Sequence, residues 1–130
     1  MQIFRGSCHC GRIAFEVEGT PDVLDCNCSI CSKKGFLHWI VPPERFRLLT
    51  PRENMATYRF NTQTAQHHFC PTCGIAPFYI PRSDPDKIDV NVRCLDDFDL
   101  SRCTPRPFDG RNWESSFASY RLSSTNPSGD

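Results

Sequence analysis

The sequence predicts a small all-β fold of antiparallel sheets packed into a sandwich or tent, and three observations carry that expectation. Short aromatic or β-branched runs recur along the chain, two of them alternate strictly between apolar and polar residues, and Pro, Gly, Asn or Ser bounds each one. Helical periodicity, by contrast, is weak everywhere except near the carboxyl end. At 130 residues the expectation is one domain, residues 1–122, with a loose tail over Ser123 to Asp130.

Taken in order, Arg12 to Glu18 places Ile13, Phe15 and Val17 on one face and Arg12, Glu16 and Glu18 on the other, the period of a half-buried strand. Phe36 to Val41, Ala56 to Phe60, Thr64 to Phe69 and Pro77 to Ile80 are further short strands. Lys87 to Arg93 repeats the alternation through Ile88, Val90 and Val92. Trp113, Phe117 and Tyr120 fall at i, i+4 and i+7, enough for about two helical turns, although a closing strand fits the same residues.

Composition narrows the function classes. Fifteen Lys and Arg offset fifteen Asp and Glu, so no net field draws the chain to nucleic acid or an anionic membrane. The longest uncharged apolar neighbourhood, Phe36 to Pro43, holds a histidine and two prolines and is far short of the roughly 18 residues of a membrane span. Met1 to Gly6 lacks the basic and apolar regions of a secretory signal, so a cytoplasmic location is expected. An apolar content of 38% with 11 prolines is thin for an unassisted core, and nine cysteines offer the cross-link.

Seven of those cysteines fall in three clusters: Cys8-His9-Cys10-Gly11, Cys26-Asn27-Cys28-Ser29-Ile30-Cys31 and Cys70-Pro71-Thr72-Cys73-Gly74. Two close-spaced pairs from distant segments complete a tetrahedron around one ion, so Cys8, Cys10, Cys70 and Cys73 are assigned a structural zinc. Gly11 and Gly74 follow each pair where the chain turns through positive φ to aim backbone N–H groups at sulfur. Disulfides would need an oxidising compartment. The middle cluster supplies three thiolates, Cys26, Cys28 and Cys31, and an open fourth position is what separates catalytic from structural zinc. The competing expectation is that Cys94, Cys103, His67 or His68 closes this shell.

Outside the clusters, Cys94 and Cys103 read as small buried hydrophobes. His9, His38, His67 and His68 match no zincin or nucleophile motif and read as strand-face or hydrogen-bonding residues without a catalytic role. Lys33 and Lys34 most simply solvate a loop, with an anionic substrate as the alternative reading.

The three clusters in this order, Gly6 to Gly11, Cys26 to Cys31 and Phe69 to Gly74, resemble the glutathione-dependent formaldehyde-activating enzyme family. Phe78-Tyr79-Ile80-Pro81-Arg82-Ser83 and Cys94-Leu95-Asp96-Asp97 look most like its centromere protein V branch. The resemblance spans about Phe4 to Trp113. It implies an Mss4-like all-β fold with two zinc ions, a closed site on Cys8, Cys10, Cys70 and Cys73 and a labile one on Cys26, Cys28 and Cys31. It also implies formation of S-(hydroxymethyl)glutathione from glutathione and formaldehyde, classed as a carbon–sulfur lyase in reverse. The chain begins almost at its first cysteine cluster without a basic extension, so a chromatin or microtubule role is not expected to carry over. Leu100 to Arg111 is only loosely like other members, and no glutathione-binding residues stand out in it.

The chemistry sets one requirement. Full deprotonation of a thiol near pH 7 raises the reactive fraction about thirtyfold, and the accompanying loss of nucleophilicity returns about eightfold of that, for a net gain of about fourfold. Positioning must therefore supply most of any acceleration. The two functional readings are a small zinc enzyme acting on the glutathione or other thiol adduct of a small aldehyde, and a non-catalytic zinc module that recruits a protein partner.

Overall fold

β1 (Gln2–Ser7) and β2 (Ala14–Gly19) pair antiparallel across the first cysteine turn, and β5 (Phe46–Leu48) joins β2 to complete a three-stranded sheet. These coordinates are a computed structural model in which residues 2–123 are described. A five-stranded sheet runs in the order β10 (Arg106–Phe108), β3 (Leu24–Cys26), β4 (Leu37–Val41), β9 (Ile88–Asn91) and β8 (Phe78–Tyr79). β6 (Ala56–Tyr58) and β7 (His67–Phe69) form a two-stranded ribbon, and Gln66 bridges to Ile80 beside β8. Among the described residues the α-helices are α1 (Ser29–Lys34) and α2 (Trp113–Ser123), with short 3-10 turns between elements. The small, mostly β fold expected from the sequence is what forms.

The alternation in β2 does what its pattern predicts, because Ile13, Phe15 and Val17 are all at most 1% exposed. Phe15 stacks on Phe46 of β5 at 5.2 Å and meets Phe78 of β8 edge-on at 6.2 Å, joining the two larger sheets through one core. β4 is buried along its whole length since β3 and β9 flank it, which is why Phe36 to Val41 reads as a continuous apolar run.

Three expectations need correction. The sheets are not purely antiparallel: β10 runs parallel to β3, in register from Arg106 and Leu24 to Phe108 and Cys26. β9 is not half-buried, because Asp89 and Asn91 on its polar face are enclosed as well, at 1% and 8% exposure. The carboxyl-terminal aromatics form a helix, one turn longer than expected and no closing strand. The tail expected from Ser123 to Asp130 lies, Ser123 apart, outside the described residues.

Candidate metal centres and the adjoining cavity

The first and third clusters form two matching turns. Cys8 and Cys70 N–H groups donate to Ile13 and Ile75 carbonyls, each at 2.9 Å, while Gly11 and Gly74 donate back to Cys8 and Cys70. Both glycines sit at positive φ, 84° and 82°, as the turns require. Ile13 N–H donates to Cys8 Sγ at 3.3 Å, so the backbone is aimed at sulfur as expected. The turns bring Cys8, Cys10, Cys70 and Cys73 together with all four sulfurs within 4.8 Å of one another.

Spacing within that group discriminates between bonding types. Sγ of Cys10 lies 3.7 Å from that of Cys8 and 3.6 Å from that of Cys70. A disulfide needs about 2.05 Å, whereas sulfurs at the corners of a tetrahedron with bonds of about 2.3 Å are about 3.8 Å apart. The thiols are therefore free and preset at the separation a tetrahedral ion demands. Burial pushes the Cys8 thiol up to about 11, while hydrogen bonds from the backbone and side chain of Arg12 hold Cys10 down to about 6.

The middle cluster is built by β3, which ends at Cys26, and by the first turn of α1. Cys28 is the N-cap of α1, its sulfur accepting from Cys31 N–H at 3.4 Å, and Gly35 ends the helix in the left-handed conformation. Cys26, Cys28 and Cys31 sulfurs lie within 4.8 Å of one another, and among the described residues no fourth Cys, His, Asp or Glu joins the group. His67 Nδ1 faces Lys34 Nζ at 3.2 Å and His68 Nδ1 faces Thr57 Oγ1 at 2.9 Å. Cys94 and Cys103 are half-buried, not enclosed as expected, and belong to neither cluster; burial pushes the Cys94 thiol up to about 12.

Hydrogen bonds from Cys26 and Cys31 hold the Cys28 thiol down to about 2, while the same exchange pushes Cys26 up to about 11 and Cys31 well above its ordinary value. Without a cation the trio is one thiolate cradled by two thiols, a donor set suited to a divalent ion that replaces both protons.

All three cysteines line a cavity of about 480 Å³, within the range of about 300–1,000 Å³ typical of small-molecule sites. Apolar and aromatic residues, Leu24, Ile40, Phe60, Phe108, Trp113 and Tyr120, make much of its wall. Arg82 places Cζ over Trp113, 3.6 Å from the ring centre, and pairs with Glu114, so α2 is fastened along the rim. Asn27, between two of the cysteines, ties down the loop after β10: its carbonyl accepts from Arg111 Nε at 2.7 Å and its amide donates to Asp109 at 3.1 Å. That loop carries Gly110 so close to the cluster that a Cβ there would sit 2.5 Å from Cys26 Sγ.

With seven cysteines so arranged, the match to known proteins becomes specific. The family profile described as glutathione-dependent formaldehyde-activating enzyme fits residues 3–113. The chain belongs to that family. A crystal structure of a Rhodobacter sphaeroides protein is similar at 36% sequence identity and a TM-score of 0.72, the match covering 79% of this chain and 97% of that one.

Several site residues escape sequence reasoning in this family member. Lys34 does not solvate a loop; its ammonium lies 5.0 Å over Tyr79 and 5.2 Å over Phe36, and burial lowers its pKa. His67 stacks on Tyr79 at 4.7 Å, and burial with the nearby Lys34 charge brings it down to about 4. His9 sits in an exposed turn, not on a strand face, whereas His38 of β4 is enclosed and bonds Asp89 of β9 through Nδ1 at 2.7 Å. The readable signal for that pair is Asp89 itself, an acid set between Ile88 and Val90 in a strand with no exposed face.

Proposed function

We propose that the chain is a two-zinc enzyme that forms and breaks the carbon–sulfur bond between glutathione, or another small thiol, and formaldehyde or another small aldehyde. In the breaking direction it is a carbon–sulfur lyase of the S-(hydroxymethyl)glutathione synthase type. One observation carries the reading: a three-sulfur cluster with no fourth protein ligand among the described residues lies in the wall of a ligand-sized cavity. The four-sulfur cluster has the separations of a closed tetrahedral site and suits a structural zinc on Cys8, Cys10, Cys70 and Cys73.

Cys26, Cys28 and Cys31 would hold the second ion. A zinc there supplies positive charge and an open position that favour the thiolate form of a thiol. The chain's own residues do the remainder. The apolar wall would strip water from the reactants, Arg82 and Arg111 on that wall would offer positive charge to the carboxylates a glutathione carries, and Gly110 lets the loop pack on the cluster. This is the positioning that thiolate activation alone leaves wanting. Nine free thiols fit a reducing compartment, which supports a cytoplasmic location, and no helix among the described residues is long and apolar enough to cross a membrane.

The test is exchange spectroscopy of hemithioacetal formation from glutathione and formaldehyde with zinc-loaded protein. Acceleration that disappears in Cys28→Ser is expected. Exchange no faster than in buffer returns the chain to the reading of a non-catalytic zinc module.

A further inference from the structure

Beneath the three-cysteine cluster, His38 and Asp89 form a buried pair that the scheme above does not use. Both line the cavity, and they are 3% and 1% exposed. His38 Nδ1 is 2.7 Å from Asp89 Oδ2, and the Tyr79 hydroxyl, 3.4 Å from the same nitrogen, also engages Asp89. With Asp89 as a carboxylate, that contact places a proton on Nδ1, and in the neutral imidazole Nε2 is then the acceptor. Nε2 and the other carboxylate oxygen of the pair, Asp89 Oδ1, are both buried and have no hydrogen-bond partner among the described residues.

A buried acceptor without a donor has lost its hydration uncompensated, so its persistence calls for a donor that arrives with a ligand. Phe36 and Tyr79 rings, 4.7 and 5.8 Å from the imidazole, hold it in place, and the strand register of β4 on β9 sets its distance to Asp89. A histidine oriented by a carboxylate, with its far nitrogen free and shut off from bulk water, is the arrangement of a general base. It does not join the cysteine trio as a fourth ligand atom, since it is outside the group whose atoms lie within 4.8 Å.

We propose that His38 is the proton-transfer residue of the cavity, oriented by Asp89; the inference rests on the thiol–aldehyde reading above. The cosubstrate S–H gives its proton to Nε2, and sulfur forms a bond to the carbonyl carbon as the C=O π pair moves to oxygen. That oxygen then takes the proton back from Nε2–H. Thiol plus aldehyde gives hemithioacetal with every atom and electron conserved, no oxidant or reductant enters, and the reverse sequence breaks the same bond. Hydrogen bonds of this kind shorten when substrate fills the site.

The experiment pairs long-range ¹H–¹⁵N NMR of histidine-labelled, zinc-loaded protein with exchange kinetics. The Nε2 resonance of His38 is expected to be that of an unprotonated nitrogen, and to move toward the protonated position when glutathione is added without aldehyde. His38→Gln is expected to retain both zinc ions and its KM for glutathione while kcat falls about a hundredfold or more. If the variant does not fold, the wild-type resonance decides. An Nε2 signal that shifts on zinc loading alone makes His38 a metal ligand and overturns the proposal, as does a signal that glutathione leaves unmoved or a His38→Gln enzyme with unchanged kcat. Wild-type protein that shifts Nε2 without accelerating exchange removes the enzyme reading and keeps His38 as the thiol's proton acceptor.

Discussion

Cys28 is the residue on which the candidate site turns. As the N-cap of α1 it accepts the Cys31 N–H, and its two thiol neighbours hold it ionised while they stay protonated near pH 7. Loading a divalent ion on this trio is therefore expected to release two protons, read by titration calorimetry in buffers of different ionisation enthalpy. The sign follows directly: protons compete with the metal, so affinity at this site weakens as pH falls, by as much as about a hundredfold per pH unit. A proton count of zero would contradict the assigned protonation. Gly110 makes the matching steric prediction. A methyl group there would meet Cys26 Sγ at 2.5 Å and Cys28 Cβ at 2.7 Å, so Gly110→Ala is expected to weaken the zinc binding proposed for the trio by about tenfold or more while the four-cysteine group is unaffected. Competition against a chromophoric chelator measures both.

Among the elements, β7 carries the strongest pH signature. His67 is 4% exposed and takes up a proton only near pH 4, against 6.5 in an unfolded chain. Because its folded pKa is depressed, the stability tied to its neutral form is complete above pH 6.5 and is lost as pH falls toward 4, to the extent of about 3 kcal/mol. Denaturant midpoints followed across that window should fall less steeply in His67→Gln than in the parent; parallel curves would contradict the burial seen here. Elements were legible where side-chain pattern alone decides them. Ile13, Phe15 and Val17 announce β2, and the three cysteine clusters announce the two groups of converging sulfurs. α1 was not legible, because six residues are too few for a helical period and its cap is a cysteine that also reads as a ligand. β10 was hidden for a related reason: Arg106, Pro107 and Phe108 carry no alternation, and what makes them a strand is the parallel edge offered by β3 some 80 residues away. The His38–Asp89 pair depends on the same kind of information, since the register of β4 on β9, with His38 opposite Asn91 and Ile40 opposite Asp89, makes the two distant residues diagonal neighbours.

For the molecule as a whole, the two cysteine groups sit differently. Cys8 and Cys70 are at most 2% exposed and anchor their group in the core that joins the sheets, with Cys10 exposed and Cys73 half-buried at its edge, whereas the trio, of which only Cys31 is buried, lies at a cavity wall. Structural zinc contributes about 10–16 kcal/mol of apparent binding energy, comparable with the whole stability of about 5–15 kcal/mol of a small protein. Cys70→Ser is thus expected to abolish cooperative melting or lower Tm steeply, and Cys28→Ser to leave a folded chain, as read by calorimetry and near-ultraviolet circular dichroism. The most direct test of this inequality is zinc per chain, counted by mass spectrometry of the metal after a brief challenge with millimolar glutathione or chelator. Two ions falling to one in the wild type, and one remaining as one in Cys28→Ser, is the result expected. Two ions that leave together, or that both stay, would contradict a closed structural site beside an open reactive one.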